Sequence, residues 1–239
     1  MQREIVKILD LFTDLEADLE AELEARRKQY EYYRDQLLTF PEDGGWVSLG
    51  QVVEYSRRKV KVADLGPSNY VGVDNLLPDI SGRVDASFKP EAGYVNAFSE
   101  GDILLGNIRP YLKKLWLADR TGGANGDVLV LSPTKLGKTY LVPDFLFHLL
   151  ATDEFFQFNT RFSRGGKMPR GDKRKILSYR IPIISKTRQR EIADVLDKFD
   201  ALVNDLSSGL PAEIEARRKQ YEYYRDKLLT FKELQPEAA

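Results

Sequence analysis

Seven basic residues crowd the fifteen positions from Arg161 to Lys175: Arg161, Arg164, Lys167, Arg170, Lys173, Arg174 and Lys175, against the single acid Asp172. Gly165, Gly166, Pro169 and Gly171 interleave them. The stretch therefore reads as a loop able to follow a phosphate backbone while its arginines reach base edges bidentately. Two smaller clusters repeat the theme, Arg57-Arg58-Lys59 with Lys61, and Arg109 with Lys113 and Lys114 beside Tyr111. The residues expected to touch DNA are Arg57, Arg58, Arg109, Lys113, Arg164, Lys167, Arg170, Lys173 and Arg174. The competing reading is a set of solvated loops and strand ends. Three clusters within one basic segment favour nucleic acid.

Covalent chemistry finds no comparable support. Gly137-Lys138-Thr139 resembles the end of a phosphate-binding loop, but Ser132 stands where the first glycine of that cradle is required. Asn107-Ile108-Arg109-Pro110-Tyr111 echoes the loop that holds a flipped adenine, yet Ile and Arg replace its middle and no cofactor loop precedes it. No Asp or Glu stands two residues before a Lys, so half of a common metal-dependent nuclease signature is missing. The chain has no cysteine and one histidine, His148, which reads as a core or edge residue within Phe147-His148-Leu149. No catalytic constellation, metal site or cofactor is expected.

The elements that must position the basic residues are short. Strand-like runs at Trp46 to Leu49, Gln51 to Tyr55, Tyr70 to Val73, Asp102 to Leu105, Leu112 to Leu117 and Asp127 to Leu131 are separated by Gly, Pro, Asn and Asp. Pro143 introduces a helix expected over Asp144 to Phe158. Strands first and helix later predict an α+β domain over residues 41–188, opened by Phe40-Pro41 and Gly44-Gly45, with its sheet topology open.

That domain lies between two copies of one sequence. Glu24 to Asp35 recurs letter for letter as Glu215 to Asp226, and Leu37-Leu38-Thr39-Phe40 recurs as Leu228 to Phe231. The copy reaches back through Gln2-Arg3-Glu4-Ile5, matched by Gln189 to Ile192, and Leu9-Asp10 with Phe12 matches Leu196-Asp197 with Phe199. Four extra residues enter the second copy within Ser207 to Pro211, where Gly and Pro should interrupt a helix. In the first copy Ile5, Phe12, Leu19, Tyr33 and Phe40 share a seven-residue track, and Ile8 and Leu15 start a second that slips to Leu23, Tyr30 and Leu37. This is a seam for a partner helix, with Glu22/Arg26 and Glu24/Lys28 supporting the wet face. The residues expected in the interface are Ile5, Phe12, Leu19, Tyr30, Tyr33, Leu37, Phe199, Leu206, Tyr221, Tyr224 and Leu228. About 39 helical residues make a rod of roughly 58 Å, too long to pack on one compact domain.

The net charge of −1 conceals a division. Residues 1–40 carry 6 Lys/Arg and 10 Asp/Glu, residues 41–188 carry 22 and 16, and residues 189–239 carry 8 and 11. A polyanion is therefore met by the middle segment, while the acidic ends meet something else. With 239 residues, 42% hydrophobic and 31% charged, disordered and fibrous classes are excluded. No apolar run is long enough to span a membrane and the amino terminus lacks a signal core, so a cytoplasmic location and no membrane partner are expected.

The arrangement resembles the specificity (S) subunit of type I restriction-modification enzymes over nearly the whole chain. The stretches that carry the likeness are Trp46-Val-Ser-Leu-Gly50, Gly101-Asp-Ile-Leu-Leu-Gly-Asn-Ile-Arg-Pro-Tyr-Leu-Lys-Lys114, and Ile181-Pro-Ile-Ile184 running into Gln189-Arg-Glu-Ile192, together with the duplicated helix. The family's usual subunit has two recognition domains and two spacers. Here the order is spacer (1–40), domain (41–188), spacer (189–239), similar to the carboxyl half of such a subunit. The resemblance implies a non-catalytic protein that selects double-stranded DNA, docks adenine methyltransferase (M) subunits and, through them, the restriction (R) subunit. It also implies that the two long helices form an antiparallel coiled coil with Tyr30, Tyr33, Tyr221 and Tyr224 in or near the seam, within one chain or between two. One domain would read one half-site, so a split site needs a homodimer or a partner with its own domain. On the residues alone two other classes stay open: a coiled-coil adaptor with no DNA affinity, and an enzyme with an unrecognised site.

Overall fold

The computed structural model describes residues 2–204 and 209–230; Leu206 of the expected seam and part of the expected helix break lie outside them. The chain opens with α1 (Gln2–Leu38), β1 (Trp46–Ser48), α2 (Leu49–Val52), β2 (Val53–Tyr55), β3 (Lys59–Lys61), β4 (Tyr70–Val71) and β5 (Tyr94–Phe98). There follow β6 (Ile103–Gly106), β7 (Leu115–Leu117), β8 (Gly122–Ala124), β9 (Val128–Pro133), α3 (Lys135–Tyr140), α4 (Pro143–Leu150) and α5 (Asp153–Arg161). It ends with α6 (Lys173–Leu177), β10 (Arg180–Pro182), α7 (Lys186–Asn204) and α8 (Leu210–Leu229). Residues 37–195 form one unit, and the segments before 37 and after 195 form another.

In the helical unit the two copies pair with each other inside one chain, and they run antiparallel. Phe199 stacks on Tyr33 at 5.6 Å and on Tyr30 at 6.4 Å between ring centroids. At the other end Phe12 meets Tyr224 at 5.7 Å and Tyr221 at 6.3 Å. Phe12 and Phe199 are equivalent positions of the repeat, as are Tyr33 and Tyr224, and Tyr30 and Tyr221. The duplication thus generates two matching contact sets related by a local twofold, each aromatic pair worth about 0.5–1.5 kcal/mol beyond its burial. The four extra residues of the second copy fall between the two sets and leave them equivalent. Between them Arg218 spans Glu16 and, at 2.6 Å, Glu20. The i,i+4 pairs Glu22/Arg26 and Glu24/Lys28 form, and their copies Glu213/Arg217 and Glu215/Lys219 form as well. A two-helix pair buries little: Tyr30 is the one buried residue of α1, its phenol pushed above its usual pKa by burial and then by Asp200.

The middle unit holds two four-stranded sheets. One has the order β2-β9-β6-β7, antiparallel throughout; the other has the order β3-β5-β8-β4, with β4 parallel to β8. Leu104, Trp116, Val128 and Val130 of the first sheet pack with Val71, Phe98 and Ala124 of the second, forming the core between them. Successive side chains alternate faces, so Ile103, Leu105, Leu129 and Leu131 bury the opposite face of the first sheet. This is the α+β class expected from the sequence. The segment from Gln51 to Tyr55 is a correction: its first residues belong to α2, and only Val53–Tyr55 is strand. The single helix expected over Asp144 to Phe158 is two, because the Thr152 hydroxyl accepts the Phe155 N–H and caps a new start for α5.

Candidate nucleic-acid interface

The connection between β6 and β7 is the anchor of the basic surface. Gly106 leads into Asn107, and a 3-10 turn at Pro110–Leu112 is flanked by Arg109 and Lys113, both left-handed with φ of 52° and 48°. The basic segment is stitched onto this connection by backbone hydrogen bonds. Arg109 N–H donates to the Pro169 carbonyl at 2.8 Å, Gly171 N–H donates to the Asn107 carbonyl at 3.1 Å, and Ile108 bridges Arg170. Arg164 and Arg170 exchange both backbone hydrogen bonds at 2.8 Å, closing a hairpin whose tip is Gly165-Gly166-Lys167-Met168-Pro169. Gly165 takes φ +104°, a conformation that glycine adopts without strain, so the tight turn requires it. Two clusters far apart in sequence, around Arg109 and around Arg170, become one surface.

The side chains on it fall into two groups. Arg170 donates from Nε to Asp127 at 3.2 Å, Arg164 lies 3.3 Å from Asp172, and Lys113 lies 2.6 Å from Asp153. Lys167, Lys173 and Arg174 are exposed and make no ion pair among the described residues. The expected loop is partly helical, since Lys173, Arg174 and Lys175 form the first turn of α6. Asp172 caps that turn, accepting from Arg174 N–H at 3.0 Å and Lys175 N–H at 3.2 Å. Those backbone bonds, and then the charges of Arg164 and Arg174, hold its carboxyl below the usual range. Beneath lies an aromatic support in which Lys175 sits 4.9 Å over Phe162 and Phe158 touches both Phe162 and Tyr179. Tyr55 of β2 donates its hydroxyl to the Lys173 carbonyl at 2.8 Å, and burial raises its pKa.

The third expected cluster is elsewhere. Arg58 donates to Asp102 at 3.0 Å and to Ser99 at 2.8 Å, at the start of β6, whereas Asn107 follows its end, about 16 Å along the strand. Arg57 is exposed beside it without an ion pair among the described residues. The residues that sequence reasoning missed are Asp127, which accepts from Arg170 Nε, and Tyr55; neither carries a local signal. His148 is buried in α4. No group of three metal-ligating side chains occurs among the described residues, and none of their helices is long and apolar enough to cross a membrane.

A strand-rich α+β unit with a stitched basic hairpin lies in a chain whose two ends pair as a duplicated helix. Residues 96–216 match the family model of the type I restriction modification DNA specificity domain, and the chain belongs to that family. It is 32% identical over 244 residues to a type I restriction enzyme specificity subunit of Escherichia coli, covering 97% of this chain and 59% of the relative. A second E. coli specificity subunit is 30% identical over 229 residues, with 87% and 50% covered. The chain thus spans less than two thirds of the length of these relatives. Among solved structures, an S subunit from M. genitalium matches with a TM-score of 0.60 at 14% identity, over 97% of this chain and 61% of that one. The HsdS subunit of Thermoanaerobacter tengcongensis matches at 0.56 and 15%, over 94% and 56%. These two share the fold.

Proposed function

We propose that the chain is the sequence-selecting subunit of a type I restriction-modification complex in the cytoplasm. It reads one half of a bipartite DNA site, docks adenine methyltransferase subunits and reaches the restriction subunit through them, without catalysis of its own. The observation that carries this reading is the backbone stitching of the exposed Arg164–Arg174 segment onto the connection that holds the half-buried Arg109 and Lys113, on a domain of the specificity family. The residues 41–188 serve as the recognition domain and the flanking segments as spacers. Co-expression with the methyltransferase partner, followed by mapping of methylated adenines across the host genome, tests it. A split motif is expected. A palindromic one means two copies per complex and a non-palindromic one means a second, different specificity chain. Absence of new methylation beside a demonstrably active methyltransferase overturns the reading.

The paired helices act as a ruler between half-sites. Four residues inserted in α1 between Phe12 and Tyr30 would shift the two aromatic contact sets by about 6 Å relative to each other. The expected outcome is a changed gap in the methylated motif or loss of methylation; an unchanged gap counts against the ruler.

A further inference from the structure

The paired and unpaired cations of the basic surface call for different partners. A carboxylate beside an arginine weakens its attraction for phosphate and repels a phosphate that approaches the same guanidinium. An arginine held by a carboxylate through one edge is, however, pre-oriented to present its other edge to a planar acceptor pair. Arg170 meets those conditions. Its backbone is fixed by the reciprocal bonds to Arg164, its Nε is held by Asp127 Oδ1 at 3.2 Å, and its side chain is still 52% exposed. Asp127 is itself fixed, since its N–H donates to Asn125 Oδ1 at 3.0 Å and its carbonyl accepts from Asn107 N–H at 2.8 Å. The two Nη groups are left as a fork with little rotamer freedom to lose on binding.

We propose that Arg170 reads a guanine through its Nη groups, donating to O6 and N7 in the major groove, and that Asp127 is the residue that positions it. Lys167, Lys173 and Arg174, which form no ion pair among the described residues, take the phosphates. The inference rests on the DNA-recognition reading and assigns it a base. Such a bidentate contact discriminates its base by roughly 5- to 150-fold. Arg170→Lys keeps the charge and loses the fork. Asp127→Asn removes the orienting carboxylate and one negative charge, so it acts in two opposite directions: base preference falls while affinity for unselected DNA rises.

The test is selection of bound duplexes from a randomised pool by the full chain, alone and with its methyltransferase partner. It is paired with titration of one fixed, unselected duplex and with the thermal midpoint of each variant. The unsubstituted chain is expected to enrich a motif containing a guanine. Arg170→Lys and Asp127→Asn are each expected to flatten the preference at that same base pair by about 3-fold or more. Unselected affinity should stay within about 2-fold for Arg170→Lys and rise for Asp127→Asn. Identical motifs from both variants, or a uniform loss across all positions at unchanged thermal midpoint, overturn the guanine-reading pair and leave the recognition reading standing. If the unsubstituted chain enriches no motif in either setting, the recognition reading itself falls and takes the pair with it.

Discussion

Replacing Lys167, Lys173 and Arg174 together by alanine is expected to weaken binding to any duplex by about 100-fold at physiological salt, without loss of fold. The size follows from counterion release, which contributes about 0.9 to the slope of log affinity against log salt for each phosphate neutralised. Three contacts make that slope less steep by about 2.7, and the lines for the parent and the variant converge as the salt approaches about 1 M. Fold retention follows from the placement of the residues. Lys167 is at an exposed hairpin tip, and Lys173 and Arg174 crowd the amino end of α6, where the helix dipole disfavours cations. Asp172 remains to cap α6, and Lys175 keeps its place over Phe162. The two basic residues therefore offer the fold little and an external polyanion much. Fluorescence anisotropy of a labelled duplex between about 50 and 200 mM salt reads the outcome. An unchanged slope would move the phosphate track away from this hairpin and leave Arg57 as the first candidate at the other end of β6.

Much of this surface was legible because charge composition needs no tertiary information. Arg161 to Lys175 stands out by count alone, as the duplicated helix stands out by identity. The joining of the Arg109 and Arg170 clusters did not, since the backbone bonds that make it link residues some sixty positions apart. Asp127 is invisible for the same reason: an acid in a turn says nothing until Arg170 is brought beside it. Strand legibility followed side-chain chemistry. β6 and β9 are rich in Val, Leu and Ile and read as strands, whereas β8 is Gly122-Gly123-Ala124, composition that opposes strand formation unless neighbours press close. Two misses had a signal that could have been used. Tyr94 to Phe98 is rich in aromatic and β-branched residues, and Thr152-Asp153-Glu154 is a helix-start pattern that divides α4 from α5.

A large loss of stability is expected at Gly137, whose Gly-Lys-Thr stretch is an incomplete likeness of a phosphate loop. In the fold Gly137 packs against the end of α2. It lies on the first turn of α3, where its N–H donates to the Thr134 hydroxyl at 3.1 Å, and an added Cβ would stand 2.0 Å from the Val52 carbonyl oxygen. That oxygen already accepts the Thr134 N–H at 2.9 Å, so neither backbone can yield without breaking the contact between α2 and α3. In Gly137→Ala the gain in helix propensity is about 1 kcal/mol. Against it stand overpacking of about 3 kcal/mol, because the obstacle is backbone, and a strained hydrogen bond worth about 1 kcal/mol. The net loss is about 3 kcal/mol, which for a unit of this size lowers the thermal midpoint by about 6–12 °C. Gly126→Ala is the control, since nothing lies within 4 Å of its added Cβ, and its midpoint should stay with the parent's. The consequence reaches the basic surface through one strand: Val52 leads into β2, whose Tyr55 hydroxyl holds the Lys173 carbonyl. A Gly137→Ala chain that unfolds with the control would show that α3 can slide off α2. In that case the close approach at Val52 is not what sets the position of β2 and, through it, of α6.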